Sequence, residues 1–287
     1  LKLFYDEMNQ YYKEKGHTED FYMIGEVLSD YQEVAPYYAG LPALFEFAFW
    51  YRLKYALNNN AGCYLAKDIL NQQQAYASFR NDYIEATKLT NHDEYRTASE
   101  LGRSTDKCKL AAAVLLTAPG EPYIYYGEEL GMYGEQTNGD EYVRAPMLWG
   151  DSYTTAYTDK IDKSAASNTA TVDKQLEDKN SLLNTYLTFT RLRNTYPALA
   201  EGTMSKHPVY NDSNEKNYKS VAAWYMTKDN EKLLVIHNLG SSAVTLPLTE
   251  NIEKAIALLG KAQQSKSATE FTVKLDKYSS VVYKLAE

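Results

Sequence analysis

Up to about residue 200 one rhythm governs the chain: a short apolar run stops on a polar or ionisable residue, and a stretch patterned like a helix follows. Residues 21–25 (FYMIG) stop at Glu26, residues 84–90 (IEATKLT) stop at Asn91-His92-Asp93, and residues 122–126 (PYIYY) run into Gly127-Glu128-Glu129. Residues 107–117 (KCKLAAAVLLT) are patterned as a packed helix that the Pro-Gly pair at 119–120 ends. Runs suited to burial on both faces, alternating with helices, predict parallel βα units. In a barrel of such units chemistry sits where strands hand over to the following loops.

The rhythm breaks twice. Residues 151 to about 180 are polar and predict a long solvated loop, followed by a helix at about 179–194 that Pro197 closes. Beyond residue 203 the period shortens to two: runs at 220–226, 233–237, 243–246, 270–275 and 280–285, separated by Asn, Asp, Gly and Lys clusters, predict a small antiparallel β domain. At the other end Leu1, Phe4, Met8, Tyr11 and Tyr12 share a helical face, with neither an initiator Met nor a capping residue before them. The chain is therefore expected to be the downstream part of a longer protein.

Composition excludes several classes of function. Thirty Lys and Arg against 38 Asp and Glu give a net charge of −8 with no basic stripe, so no nucleic-acid partner is expected. The two cysteines, Cys63 and Cys108, have no metal-ligand spacing and cannot build a disulfide framework. His17, His207 and His237 are scattered and suggest no metal cage. No apolar stretch approaches the roughly 20 residues that span a bilayer.

The remaining candidates are strand-end carboxylates. A lone Glu or Asp at a strand end is ordinarily a helix cap or a loop ion pair, but Glu26 and Asp93 stand at homologous positions with His92 between strand and Asp. Glycoside hydrolysis usually needs one protonated carboxyl as acid and a second carboxylate about 5 Å away in the retaining class. Glu26, at the end of an apolar run, is expected to be desolvated by its neighbours, which raises a carboxyl's pKa toward the working pH.

The segments YMIGEV, KLTNHDEYR, KLAAAVLLTAPGEPYIYYGEELGMYG, YVRAPMLW and SLLNTYLTFTRLRNTYPALAEG, in this order, resemble the second half of a glycoside hydrolase family 13 α-amylase. The likeness is strongest to the cell-surface, neopullulanase-like amylases of starch-utilisation systems. It implies an α/β fold: the C-terminal half of a (β/α)8 TIM barrel over residues 1–203 and a β-sandwich domain over 204–287. It implies that Glu26 is the general acid/base, that Asp93 is the carboxylate that holds sugar hydroxyls, and that His92 binds sugar. Asp140 and Arg144 are either a surface ion pair or a grip on a non-reducing-side glucose, and Arg96, three residues after Asp93, is a substrate-site candidate expected to orient its neighbours rather than touch sugar. Glu128 and Glu129 match supporting structure.

The family's nucleophile is an Asp in a Gly-Phe-Arg-x-Asp motif on the preceding strand, and no such motif occurs between residues 1 and 287. The 287 residues alone are thus expected to be inactive and to need an upstream half-barrel. Starch and maltooligosaccharides are the implied ligands, other starch-utilisation surface proteins the implied partners, and the cell surface the implied location. Calcium enters only through the resemblance, with its ligands expected upstream of residue 1. Tyr55, Tyr64 and Asp68 suggest a secondary glycan platform away from the cleft. A non-catalytic glycan-binding relative and a transglucosidase on the same scaffold remain open as alternatives.

Overall fold

A computed structural model describes residues 1–150, 168–211, 218–266 and 271–286. Its first sheet is parallel and strictly sequential, β1 (Ile24–Gly25), β2 (Ala43–Glu46), β3 (Ile84–Lys88) and β4 (Glu121–Tyr123), in the order β1-β2-β3-β4. Helices flank it: α1 (Lys2–Glu14) before β1, α2 (Phe47–Asn59) and α3 (Leu65–Ala77) between β2 and β3, and α4 (Thr105–Thr117) between β3 and β4. With only the short helix Tyr31–Val34 and a 3-10 turn between β1 and β2, these are four consecutive parallel strands of a barrel. The sheet curls enough for the Tyr22 hydroxyl, just before β1, to meet that of Tyr123 on β4 at 2.7 Å.

β2 and its helix share one apolar block, and Glu46 divides them. Its Oε1 accepts from the backbone N–H groups of Ala48 at 2.8 Å and Phe49 at 3.3 Å, satisfying donors that the first turn of α2 leaves free. α4 buries nine of its 13 residues, and its run Ala111–Ala112–Ala113 lets neighbouring backbones approach closely.

After β4 come α5 (Val172–Glu177), α6 (Leu182–Thr195) and α7 (Pro197–Glu201). The polar stretch from 151 to about 180 was expected to be loop throughout; residues 151–167 lie outside the described residues, and the remainder holds α5. Buried Gln175 explains that helix, because its side chain donates to the carbonyls of Leu130 at 2.8 Å and Ala170 at 3.0 Å while accepting from Leu183 N–H at 3.1 Å.

The C-terminal part is two antiparallel sheets. One has five strands in the order β5-β6-β7-β12-β9: β5 (Thr203–Lys206), β6 (Val221–Lys228), β7 (Glu231–Asn238), β12 (Ser279–Leu285) and β9 (Ile252–Leu259). The other has three in the order β10-β11-β8: β10 (Ala262–Lys266), β11 (Phe271–Leu275) and β8 (Val244–Leu248). Val221, Ala223, Leu234, Ile236, Leu246, Val273 and Val281 form the core between them. The opposite face of the five-stranded sheet, with Ala222, Trp224, Met226, Leu233, Val235 and Val282, joins α2, α4 and α6 in a second, larger core.

The apolar face expected on α1 is largely uncovered. Leu1 is 69%, Phe4 57% and Tyr11 52% exposed, and Tyr5 is the helix's one buried residue.

Candidate active site

Gly25 and Glu26 close β1, the edge strand beside β2, whose pairing is Ile24 with Ala43 and Gly25 with Leu44. A Cβ at position 25 would come within 2.5 Å of Leu41 Cδ1 and 2.7 Å of Leu44 Cδ2, so a larger residue here would have to displace the tips of two buried leucines. Glu26 is exposed, against the expectation that its neighbours desolvate it: β1 is only two residues long and, among the described residues, has a strand on one side alone.

Asn91, to which the sequence had given no role, is the joint of the site. Its Nδ2 donates to Glu26 Oε1 at 3.0 Å and its Oδ1 accepts from Asp93 N–H at 2.9 Å. The amide thereby ties the end of β1 to the turn after β3. Its signal in the sequence was only its place beside His92 and Asp93.

Arg144 reaches the same turn from the loop after β4. Its Nη2 donates to Asp93 Oδ1 at 2.6 Å and to Asp140 Oδ2 at 2.8 Å, and its Nε donates to the His92 carbonyl at 3.0 Å. Asp140 also accepts from Gln136 Nε2 at 2.5 Å, and His92 Nε2 lies 3.3 Å from Asp93 Oδ2. Glu26, His92, Asp93, Asp140 and Arg144 therefore belong to one hydrogen-bonded network on the rim where the parallel strands end. Charge-assisted bonds of this kind are short and hold both partners in orientation.

Arg96 does not join them. It is 1% exposed, donates from Nη1 to the Tyr126 carbonyl at 2.8 Å and lies 4.7 Å and 5.0 Å from the ring centroids of Tyr125 and Tyr126. Burial under those two rings removes it from the substrate-contacting residues and makes it a support of the β4 loop. Glu128 is also buried, accepting from Tyr186 Oη at 2.8 Å, and burial pushes its carboxyl up to about 8.

Away from the rim, Tyr55 on α2 and Tyr64 at the head of α3 are 59% and 42% exposed and line a hollow of about 340 Å³ with Tyr51, Arg52 and Asp68. Burial raises the Asp68 pKa, opposed by the charges of Arg52 and Lys67.

A profile described as "Alpha amylase, catalytic domain" matches residues 1–202. The chain belongs to the α-amylase family. The profile "Alpha-amylase SusG C-terminal domain" matches residues 221–282 of this amylase-family chain. Over 285 residues it is 68% identical to "Alpha-amylase SusG" of Bacteroides thetaiotaomicron, covering 99% of this chain and 41% of that protein. It is 30% identical to "Alpha-amylase 3" of Dictyoglomus thermophilum over 94% of this chain and 52% of that one. The crystal structure of an alpha-amylase from H. orenii superposes with a TM-score of 0.84 at 24% identity, covering 98% of this chain and 57% of that chain. The family chain thus spans about half the length of the relatives it matches or less.

Among the described residues no group of three or more His, Cys, Asp or Glu side chains is set to hold a metal ion. No helix among them is long and apolar enough to cross a membrane.

Proposed function

We propose that this chain supplies the acid/base side of the active site of a retaining, endo-acting α-glucan hydrolase that cleaves starch and maltooligosaccharides. The observation that carries the reading is the Asn91 amide bridge, which brings the carboxyl after β1 and the His92–Asp93 turn after β3 to one rim. Glu26 protonates the glycosidic oxygen as the C–O bond breaks. A carboxylate nucleophile, an Asp expected from polypeptide preceding residue 1, attacks the anomeric carbon from the opposite face and forms the glycosyl-enzyme. Glu26, now a carboxylate, takes a proton from the water that releases the sugar.

Asp93 and His92 accept and donate to sugar hydroxyls, and Arg144 holds Asp93 in the orientation that this requires. The uncovered face of α1 and the open flank of β1 support a barrel completed by further polypeptide. Calcium rests on the family likeness alone, with its ligands expected from polypeptide preceding residue 1. Tyr55, Tyr64 and Asp68 form a second glycan contact. Surface location and cooperation with other starch-utilisation surface proteins rest on the family likeness.

Glu26→Gln in the complete enzyme tests the reading. Turnover on starch is expected to fall by roughly 10²–10⁴-fold while maltoheptaose still binds. Turnover within a few fold of the parent's would remove Glu26 from the acid/base role.

A further inference from the structure

We propose that Lys88 is a positioning residue for the acid/base pair: held by Glu94, it fixes from below the turn that grips Glu26 and carries His92 and Asp93. The proposal rests on the role given above to Glu26.

Lys88 is the last residue of β3 and pairs in register with Tyr123 of β4. Strand alternation puts it on the concave face of the sheet with Ala86, one face with Phe45 and Tyr123, whose rings touch at 5.0 Å. Its side chain is 3% exposed, ion-paired to Glu94, with its Nζ 3.7 Å from the Phe47 ring centroid. Burial pulls its pKa down, and the Glu94 carboxylate, bonded to it, is the chief opposing influence.

An ammonium taken out of water costs several kcal/mol, and replacing a buried ion pair by residues of similar volume is often neutral or stabilising. Stability therefore gives little reason for a lysine here, whereas position does. Glu94 directly follows Asp93, and its N–H points to the Asn91 carbonyl at 3.5 Å. The turn is thus anchored beneath by Lys88 and from outside by Arg144, whose Nε holds the His92 carbonyl. From that doubly anchored turn the Asn91 amide reaches Glu26. Loosening the lower anchor lets the amide drift, and small misplacements of a proton donor are costly to rate.

The test uses the complete enzyme with the double variant Lys88→Met/Glu94→Gln, which removes both charges together and leaves neither partner orphaned. Two substrates are compared: maltoheptaose, whose leaving oxygen needs a proton, and α-maltosyl fluoride, whose fluoride departs without one. The expected result is a fall in kcat/KM of at least about tenfold on maltoheptaose and no more than about threefold on the fluoride. An equal fall on both substrates, the mark of a merely structural pair, overturns the proposal, as does no fall on either. Should the double variant fail to fold, Glu94→Gln decides by the same split, since it removes the one carboxylate that the Lys88 ammonium pairs with. Glu26→Gln is assayed alongside. If it lacks the split, the acid reading fails and this proposal with it; if it alone shows the split, the acid reading stands and Lys88 loses its role.

Discussion

The two large sheets of this molecule solve opposite problems. The parallel sheet ends on an open rim: among the described residues β1 pairs with β2 alone, Glu26 is exposed and His92, Asp93, Asp140 and Arg144 are about half exposed. The central strands β6, β7 and β12 of the five-stranded antiparallel sheet are buried on both faces, between the small sheet on one side and the helices α2, α4 and α6 on the other. Chemistry needs groups that water and substrate can reach, and stability needs groups that they cannot. The C-terminal sheet thus serves as an anchor for the helices that carry the rim, more than as a separate module.

The largest expected effect tests that anchoring. Trp224 on β6 is fully buried against α4 and donates from Nε1 to the Thr117 carbonyl at 3.3 Å. Trp224→Ala is expected to cost about 3–5 kcal/mol in urea unfolding. Because its ring belongs to a core that both parts share, helices and sheet should lose stability together in one transition. Two separated transitions, with the helical part unmoved, would show the two parts to be independent.

A smaller effect contrasts the two regions through pH. On the parallel sheet, burial and the neighbouring Glu85 charge push Glu46 up to about 8, against the N–H groups of Ala48 and Phe49, and burial pushes Glu85 up to about 7. The unfolded chain releases these protons near pH 4.5 while the folded chain keeps them, so their contribution is lost as pH rises from about 4.5 toward 8. At the junction with the C-terminal sheet the sign reverses. Burial pulls His237 down to about 3, so its contribution is lost as pH falls from about 6.5 toward 3. Glu46→Gln keeps an acceptor for the cap of α2 and removes one titrating group. The loss of unfolding free energy between pH 5 and 8 should become shallower by at most about 1.4 kcal/mol per pH unit. An unchanged slope would show that Glu46 does not titrate in that window.

How much of this was legible follows from who supplies the order. β1, β3 and β4 were announced by apolar runs that stop on a polar residue, but the run at 21–25 keeps only Ile24–Gly25 as strand and that at 122–126 gives way to Glu121–Tyr123. β2 was hidden because residues 41–50 are apolar into the following helix, and the boundary is made by Glu46 turning back to cap α2, a cap type that sequence preferences do not favour. β10, with the sequence AQQSK, has four exposed residues and no alternation of its own; its pairing with β11 makes it a strand.

At the site, Glu26, His92 and Asp93 were readable as types at strand ends. The bridge through Asn91 was not, since it joins residues 65 apart in sequence. Lys88 was present as a lone cation inside a strand run. Counting parity along that strand puts it on the inner face.

The smallest expected change in stability belongs to the platform on α2 and α3. Tyr55 and Tyr64 are exposed, line a hollow open to water, and Tyr55 contributes its backbone carbonyl to Asn59 in a bond that an alanine would keep. Tyr55→Ala/Tyr64→Ala should therefore leave the unfolding free energy within about 0.5 kcal/mol of the parent. Binding to insoluble starch, measured by sedimentation with the complete protein, should fall, because each ring offers a flat apolar face beside the Asp68 carboxyl. Retained binding with unchanged stability would return both tyrosines to ordinary surface residues. The contrast between reachable and buried groups would then hold for the rim alone, since the platform would be reachable without being used.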